Sequence, residues 1–341
     1  MMRYPTRKLF HGLHLASAVV CLSGFLVLSP GGGAWCQSPE PRNDSLKRTE
    51  AAIRDEFQHK GPFSVITVGT GAPRYSPERS GPCALVHYKG HYFIVDMGNG
   101  TQARLHQANI RLGNLEAFLF THFHLDHSEE FIPLLINAWL QGQDNLKIIG
   151  PPGVKEYHAF LLSFYKDDIA YRARRTGRPV GKIRDIGIRE LTGEETFELS
   201  GVSVRSIEVP HTVYTLAYRF DAEGESIVIS GDLTYSENLI RLAKGADVLV
   251  MDSGGYIRAK KQGAPRRERP PRRSGGGNKA QVRAHPSLKE IATMASKAGV
   301  KKLVLTHFAP GVIDKEATSR AIRQTFKGEI VFGEDLMEVV P

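Results

Sequence analysis

Thr121-His122-Phe123-His124-Leu125-Asp126-His127-Ser128 places three imidazoles and a carboxylate within six consecutive positions. Protonated imidazoles repel one another, so clustering them is costly unless each neutral ring gives its lone pair to a shared cation. The H-x-H-x-D-H spacing also divides the donors. In an extended or tightly turning loop His122 and His124 face one way, while Asp126 and His127 turn toward a neighbouring point. The spacing therefore suits two metal ions side by side.

Outward from this run, residues 117–120 form a short apolar strand that delivers His122 at its end. Residues 129–140 carry apolar side chains at Phe131, Leu134, Leu135, Ala138 and Trp139, the period of a helix. A histidine loop between a strand end and a helix start is where an open α/β sheet presents a site. Four further donors each follow an apolar strand: Asp96 in Ile94-Val95-Asp96, His211 in Val209-Pro210-His211, Asp232 in Ile229-Ser230-Gly231-Asp232, and His307 in Val304-Leu305-Thr306-His307. A single histidine after a strand reads as an ordinary surface residue. Four strand-end donors in company with the histidine run read as one site.

Strand patterns cover 64–68, 84–88, 92–95, 202–209, 216–220, 226–230, 248–251, 303–305 and 330–332. Helical patterns cover 101–108, 236–243, 288–297 and 317–326. Their interleaving predicts an α/β layered fold with sheets inside and helices outside. Residues 157–171 read as a helical segment leading into a basic stretch at 172–178 that caps the site. There Tyr165, Tyr171, Arg172, Arg174 and Arg175 serve either an anionic or aromatic substrate or an amphipathic surface.

The ends and one insertion stand apart. Arg3, Arg7 and Lys8 precede an apolar run at 13–28 and small residues at 31–34, so residues 1–36 read as an export signal, with an uncleaved anchor as the alternative. The run is short and interrupted for a stable membrane span. Bulky Trp35 argues against lipid attachment at Cys36. Residues 37–61 read as a polar linker with a short helix near 46–57, and 62–341 as the catalytic domain. Cys83 is the one cysteine securely inside that domain, so no disulfide is expected there, and its place at a strand start reads as a small packed residue. The net charge of +9 resides in residues 257–283, which hold ten Lys/Arg and one Glu; the rest of the chain is neutral. A charge so confined excludes a basic face spread over the fold. The segment's Pro, Gly and Arg content predicts a disordered surface insertion, with gathering of polyanions as the alternative role.

The donors occur in the order Asp96, His122-x-His124-x-Asp126-His127, His211, Asp232, His307, and in this the chain resembles the metallo-β-lactamase superfamily over residues 62–340. The resemblance implies a four-layer αβ/βα sandwich with two Zn²⁺ ions between the sheets. It implies that His122, His124 and His211 hold one ion, that Asp126, His127 and His307 hold the other, and that Asp232 bridges them, with Asp96 orienting the loop from behind. An all-nitrogen and oxygen donor set also admits Mn²⁺ or Fe. Many true β-lactamases carry Cys at the place of Asp232, which lowers that reading. Val68-Gly69-Thr70-Gly71-Ala72-Pro73, Asp96-x-Gly98-x-Gly100-Thr101-Gln102 and Ala284-His285-Pro286-Ser287 resemble the ribonuclease Z and arylsulfatase-like branch. That branch implies that His285 and an acidic residue protonate the leaving group. Asp252 stands where the acid would be, although Met251-Asp252-Ser253 departs from the branch's His-Glu pattern.

These readings predict a metal-dependent hydrolase in which metal-bound hydroxide attacks an ester, with Asp126 or Asp232 accepting the proton and His285 supplying one. An export signal puts such an enzyme in the periplasm or outside the cell, away from transfer RNA. The first expectation is therefore a small phosphodiester or sulfate ester as substrate. The alternative is a ribonuclease Z-like endoribonuclease, with nucleic acid as the partner. A lactonase or thioesterase would leave His285 without work, and a pure polyanion binder would not need seven ordered metal donors. A homodimer is carried as a further partner.

Overall fold

The computed structural model describes residues 57–254, 256 and 283–341. The leader, the linker up to residue 56 and the basic insertion at 257–282 lie outside the described residues. Two seven-stranded mixed sheets face each other. The first is built from β1 (Phe63–Gly69), β2 (Cys83–Tyr88), β3 (His91–Val95), β4 (Leu115–Leu119), β5 (Lys147–Gly150), β6 (Gly187–Glu190) and β14 (Met337–Val339), in the order β14-β1-β2-β3-β4-β5-β6. The second is built from β7 (Glu195–Leu199), β8 (Val202–Val209), β9 (Thr215–Ala222), β10 (Glu225–Ile229), β11 (Val248–Asp252), β12 (Lys302–Thr306) and β13 (Glu329–Phe332), in the order β13-β12-β11-β10-β9-β8-β7. Each sheet is antiparallel on one side and parallel on the other: β3 to β6 run parallel, as do β10 to β13.

The strands are apolar on both faces because each face has a core to fill. In β1, Val65 joins the core between the sheets with Phe93, Leu119, Tyr218 and Phe220, while its neighbour Ile66 joins the core under the first helical layer. This period-two alternation is what a doubly covered strand requires. The first helical layer holds α1 (Thr101–Gln107), α2 (Leu125–Ser128), α3 (Phe131–Leu140), α4 (Val154–Phe164), α5 (Lys166–Thr176) and α6 (Gly181–Arg184). The second holds α7 (Glu237–Leu242), α8 (Leu288–Ala298) and α9 (Lys315–Arg323), whose Leu239, Ile291, Met294 and Ile322 pack with Val228, Leu249 and Leu305. Three cores separate four layers, the αβ/βα sandwich that was anticipated. Cys83 opens β2 as a buried, unpaired thiol.

Three local readings are corrected. The helix predicted over 129–140 starts only at Phe131, because residues 129 and 130 form a turn between two helices, α2 and α3: the Glu130 N–H leaves the helical ladder for Met97 O at 2.9 Å while its carboxylate takes the amides of Gly100 and Gln102. The segment 157–171 is likewise two helices that meet at Tyr165. The chain does not close on β13: three further residues cross to the first sheet as β14, antiparallel to β1. Glu338 in β14 is buried because His59 Nδ1, Lys60 N and Ser64 Oγ all approach its carboxylate within 2.9 Å. Strands β5 to β7 carry too few apolar residues to stand out in the sequence. Among the described residues no helix is long and apolar enough to cross a membrane.

Candidate metal centre

The site forms where strand ends of both sheets converge. Strand β4 releases Thr121 and the histidine loop, and α2 follows at once. The parallel neighbour β3 ends at Val95 and is followed by Asp96, which adopts a left-handed backbone (φ 59°) and turns back under the loop. Asp96 Oδ1 accepts Thr121 N–H at 2.7 Å, and Oδ2 accepts Thr121 Oγ1 at 2.6 Å and His127 Nδ1 at 2.8 Å. Because the Thr121 hydroxyl donates to Asp96, it accepts from His122 Nδ1, 2.9 Å away. One buried carboxylate thus sets the tautomer of two histidines and leaves both Nε2 lone pairs facing inward. Gly98 lies so near the loop that a methyl group on it would sit 2.4 Å from Asp126 O.

The second sheet supplies its donors one at a time. His211 follows β8 and donates through Nδ1 to Ala284 O at 2.9 Å. Asp232 follows β10, Asp252 ends β11, and His307 follows β12 with a left-handed backbone (φ 61°). Such a conformation at a histidine costs on the order of 1–3 kcal/mol and persists where the surroundings enforce it.

These side chains meet in two groups. The rings of His122, His124 and His211 stand 4.7–5.0 Å apart, at 70–77° to one another, so their in-plane lone pairs converge on one point, with Asp232 completing the group. Asp126, His127 and His307 form the other group, with His307 Nε2 3.4 Å from Asp126 Oδ2 and His127 Nε2 3.4 Å from Asp232 Oδ1. Asp232 Oδ2 lies 4.0 Å from His122 Nε2, 3.9 Å from His211 Nε2 and 3.5 Å from His307 Nε2, between the groups. The Nε2 atoms of His122 and His127 are buried with no hydrogen-bond partner. Orphaned acceptors of this kind are costly unless a cation takes their lone pairs.

The electrostatics agree. Burial, reinforced by His127, drives the His122 pKa far below its ordinary value, so the ring is neutral and able to ligate. Burial works against charge on Asp232 as well, yet His307 and His127 hold its carboxyl well below the usual range. Burial opposes a charge on His307, but Asp232, Asp126 and Asp252 outweigh it and raise its pKa to about 10. Positive charge is thus favoured beside His307 and His127, and divalent ions supply it to a donor set of imidazoles and carboxylates that fits them.

At the mouth, His285 Nδ1 meets Asp252 Oδ2 at 2.8 Å, and that hydrogen bond raises the pKa of the imidazole despite burial. The His285 side chain is 30% exposed, while the Asp252 side chain is 1% exposed, so the opposite ring edge, Nε2, is the part free to reach substrate. The departure at Met251-Asp252-Ser253 therefore does not break the pair. Gly254 permits it: a methyl group there would fall 1.8 Å from His285 Cβ.

All seven anticipated metal donors, and the Asp252–His285 pair, are brought together. What the sequence reading missed is Thr121 as a relay, Gly254 as a spacer, and a cleft of about 210 Å³ beside Asp126 lined by Pro73, Arg74, Tyr75, Asn99 and Glu129. The signal for the cleft was an Arg-Tyr step in the Gly- and Pro-rich loop after β1. The helical region meets the histidine loop through Tyr157, whose ring lies 5.4 Å from that of Phe123 and whose hydroxyl donates to Ser128 O at 3.2 Å. Tyr165 and Arg172 line a separate groove with Ile132 and Ile136 of α3, and Arg172 is paired with Asp168 at 2.7 Å.

The chain matches the family model described as a β-lactamase superfamily domain over residues 91–308. It is 33% identical over 289 residues to a protein named ribonuclease Z from Mycobacterium bovis (strain BCG / Pasteur 1173P2), covering 81% of this chain and 98% of that one. Among solved structures, the metallo-β-lactamase fold protein YhfI from Bacillus subtilis aligns with TM-score 0.63 and 17% identity, over 82% of this chain and all of that one. The short form of human tRNase Z aligns with TM-score 0.59 and 21% identity, over 81% and 98%.

Proposed function

This chain belongs to the metallo-β-lactamase superfamily, on its ribonuclease Z branch, and from that premise we propose that it is a metal-dependent endoribonuclease that hydrolyses a phosphodiester bond at the 3′ side of a structured RNA such as a transfer-RNA precursor. The observation that carries this reading is the buried Asp252 holding a part-exposed His285 at the mouth of the centre. A ribose oxygen is a poor leaving group and needs a proton as its bond to phosphorus breaks. An aryl sulfate or an activated small diester does not. The similarity to proteins named ribonuclease Z points the same way, and nothing comparable supports the small anionic ester placed first on the sequence alone.

When bound, two divalent ions (zinc, or manganese or iron) supply Lewis acidity to the scissile phosphate and acidify a water at the site. His122, His124 and His211 would hold one ion and Asp126, His127 and His307 the other, with Asp232 within reach of both groups. Asp126, whose Oδ2 lies 3.4 Å from His307 Nε2 inside the centre, would accept the proton of the attacking water. His285 Nε2 donates to the departing ribose oxygen, while Asp252 keeps Nδ1–H occupied and the ring oriented. Arg74 and Tyr75 offer a cation and a stacking surface to the nucleotide beside the scissile bond.

A second reading keeps the same chemistry on a small phosphodiester outside the cytoplasm; the sequence pattern at 1–36, read as an export signal, is the argument in its favour. One experiment separates the two. The leaderless, zinc-loaded protein is given a transfer-RNA precursor with a 3′ trailer and a bis-aryl phosphodiester, beside His285→Ala. The RNA reading expects precursor cleavage that falls about 10²–10⁴-fold in His285→Ala while aryl diester turnover changes little. Turnover of the aryl diester with the precursor left intact would replace it by the second reading.

A further inference from the structure

Asp252 has a second oxygen that the leaving-group chemistry does not use. Oδ2 faces His285 Nδ1 at 2.8 Å, while Oδ1 is buried, makes no hydrogen bond, and lies 3.4 Å from Nδ1 of His307. The strand register enforces this. Asp252 pairs with Thr306 across the parallel β11–β12 ladder, so the last residue of one strand stands beside the residue that precedes His307. The Asp252 backbone N–H is anchored on Ser230 Oγ at 3.0 Å, and Ser253 N–H on Thr306 O at 3.0 Å. His307 meanwhile turns Nε2 toward Asp126 and Asp232. Its Nδ1 edge therefore has the Asp252 carboxylate as its charged neighbour.

The same arrangement occurs once more in this centre, where Asp96 backs His127 Nδ1 at 2.8 Å. The histidines of the other group have neutral partners: Thr121 Oγ1 behind His122, and Ala284 O behind His211. A carboxylate behind an imidazole raises the ring's basicity and holds its tautomer, which strengthens its bond to a metal. From this asymmetry we infer that Asp252 is a positioning residue with two clients, the acid His285 through Oδ2 and the metal ligand His307 through Oδ1, so that one carboxylate sets both leaving-group protonation and the affinity of the ion held by Asp126, His127 and His307. His307, if its Nε2 held an ion, would keep its proton on Nδ1 facing Asp252 Oδ1, and would so order the carboxylate that aims His285.

The inference rests on the metal-centre assignment, and its test needs no substrate. The leaderless full chain is titrated with Zn²⁺ against a chromophoric chelator, as wild type, Asp252→Asn and His285→Ala, with a Co²⁺ visible spectrum of each. Asp252→Asn is expected to weaken one of two zinc equivalents about 10–100-fold and to change the cobalt spectrum, while His285→Ala stays within about twofold of wild type. Zinc bound by Asp252→Asn as tightly as by wild type, even with RNA cleavage lost, would overturn the second client and leave the Asp252–His285 pair standing. A wild-type chain that binds no divalent ion would overturn both readings. Selective ¹⁵N labelling of histidine in the zinc-loaded wild type needs no variant: His307 is expected to carry its proton on Nδ1, and an unprotonated Nδ1 there would refute the inference.

Discussion

Among the described residues two histidine clusters pass the same test of proximity, and one of them is built to hold a metal. In the centre between the sheets, the rings of His122, His124 and His211 stand at 70–77° to each other, so lone pairs lying in their planes meet. On the first sheet, His59, His87 and Glu338 also bring donor atoms within 4.8 Å of one another. There the two rings stack flat, with centroids 3.4 Å apart and planes 6° from parallel, so their lone pairs run side by side and never cross. His87 Nε2 accepts Gly90 N–H at 3.0 Å, and His59 is occupied by Glu338 and Tyr92. Proximity gathers donors, whereas coordination needs their orbitals to converge; the first cluster does both and the second staples a sheet edge.

The largest effect that would break this contrast comes from the shared carboxylate. Asp232→Asn is expected to lose most of the bound metal and on the order of 10³-fold or more in turnover, read by elemental analysis and single-turnover cleavage. A fully loaded, active Asp232→Asn would remove the case for a two-ion centre. Asp96→Asn acts one step further out: metal affinity or rate should drop about 10–100-fold, with the fold intact by circular dichroism. Gly254→Ala should push His285 off Asp252, slowing RNA cleavage about tenfold and sparing the activated aryl diester, since general acid help matters only for the poor leaving group. Equal slowing on both substrates would mean that Gly254 supports the centre as a whole.

The smallest effect tests the stacked cluster. Burial, and then the charge of His59, lower the His87 pKa from 6.5 to about 4. The unfolded chain therefore binds a proton between pH 6.5 and 4 that the folded chain refuses. Stability from neutral His87 is complete above about 6.5 and is lost as pH falls toward 4, on the order of 3 kcal/mol. His87→Gln should flatten the fall of the thermal midpoint between pH 7 and 4.5 while leaving metal content and turnover unchanged. Loss of metal in this variant would show that the comparison is drawn in the wrong place.

The same contrast explains what could be read without coordinates. Donors at H-x-H-x-D-H spacing and after apolar strands announced the centre, because the convergence of strand ends is a property of the α/β layout. Most strands were legible where both faces are apolar, as in β1 and β11. Strands β6 and β7 were not, since Gly187–Glu190 and Glu195–Leu199 alternate exposed and half-buried residues at a sheet edge. The turn at Glu130 depends on its N–H donating to Met97 O and on the amides of Gly100 and Gln102 donating to its carboxylate, which no local pattern encodes. Gly254 and the second oxygen of Asp252 became visible only through distances between β11 and its neighbours.

The strand β14 sets the timetable of the whole molecule. Ser64 and Glu338 are bonded across 274 positions of sequence, and β1 has no second neighbour on that side until Met337–Val339 arrives. Contacts this distant are slow to close and are made last. A ribosome must therefore release the chain as far as Val339 before the first sheet can be finished, and until then β1 offers an open, apolar edge to whatever meets it first. Shortening the chain by its last five residues would make that waiting state permanent.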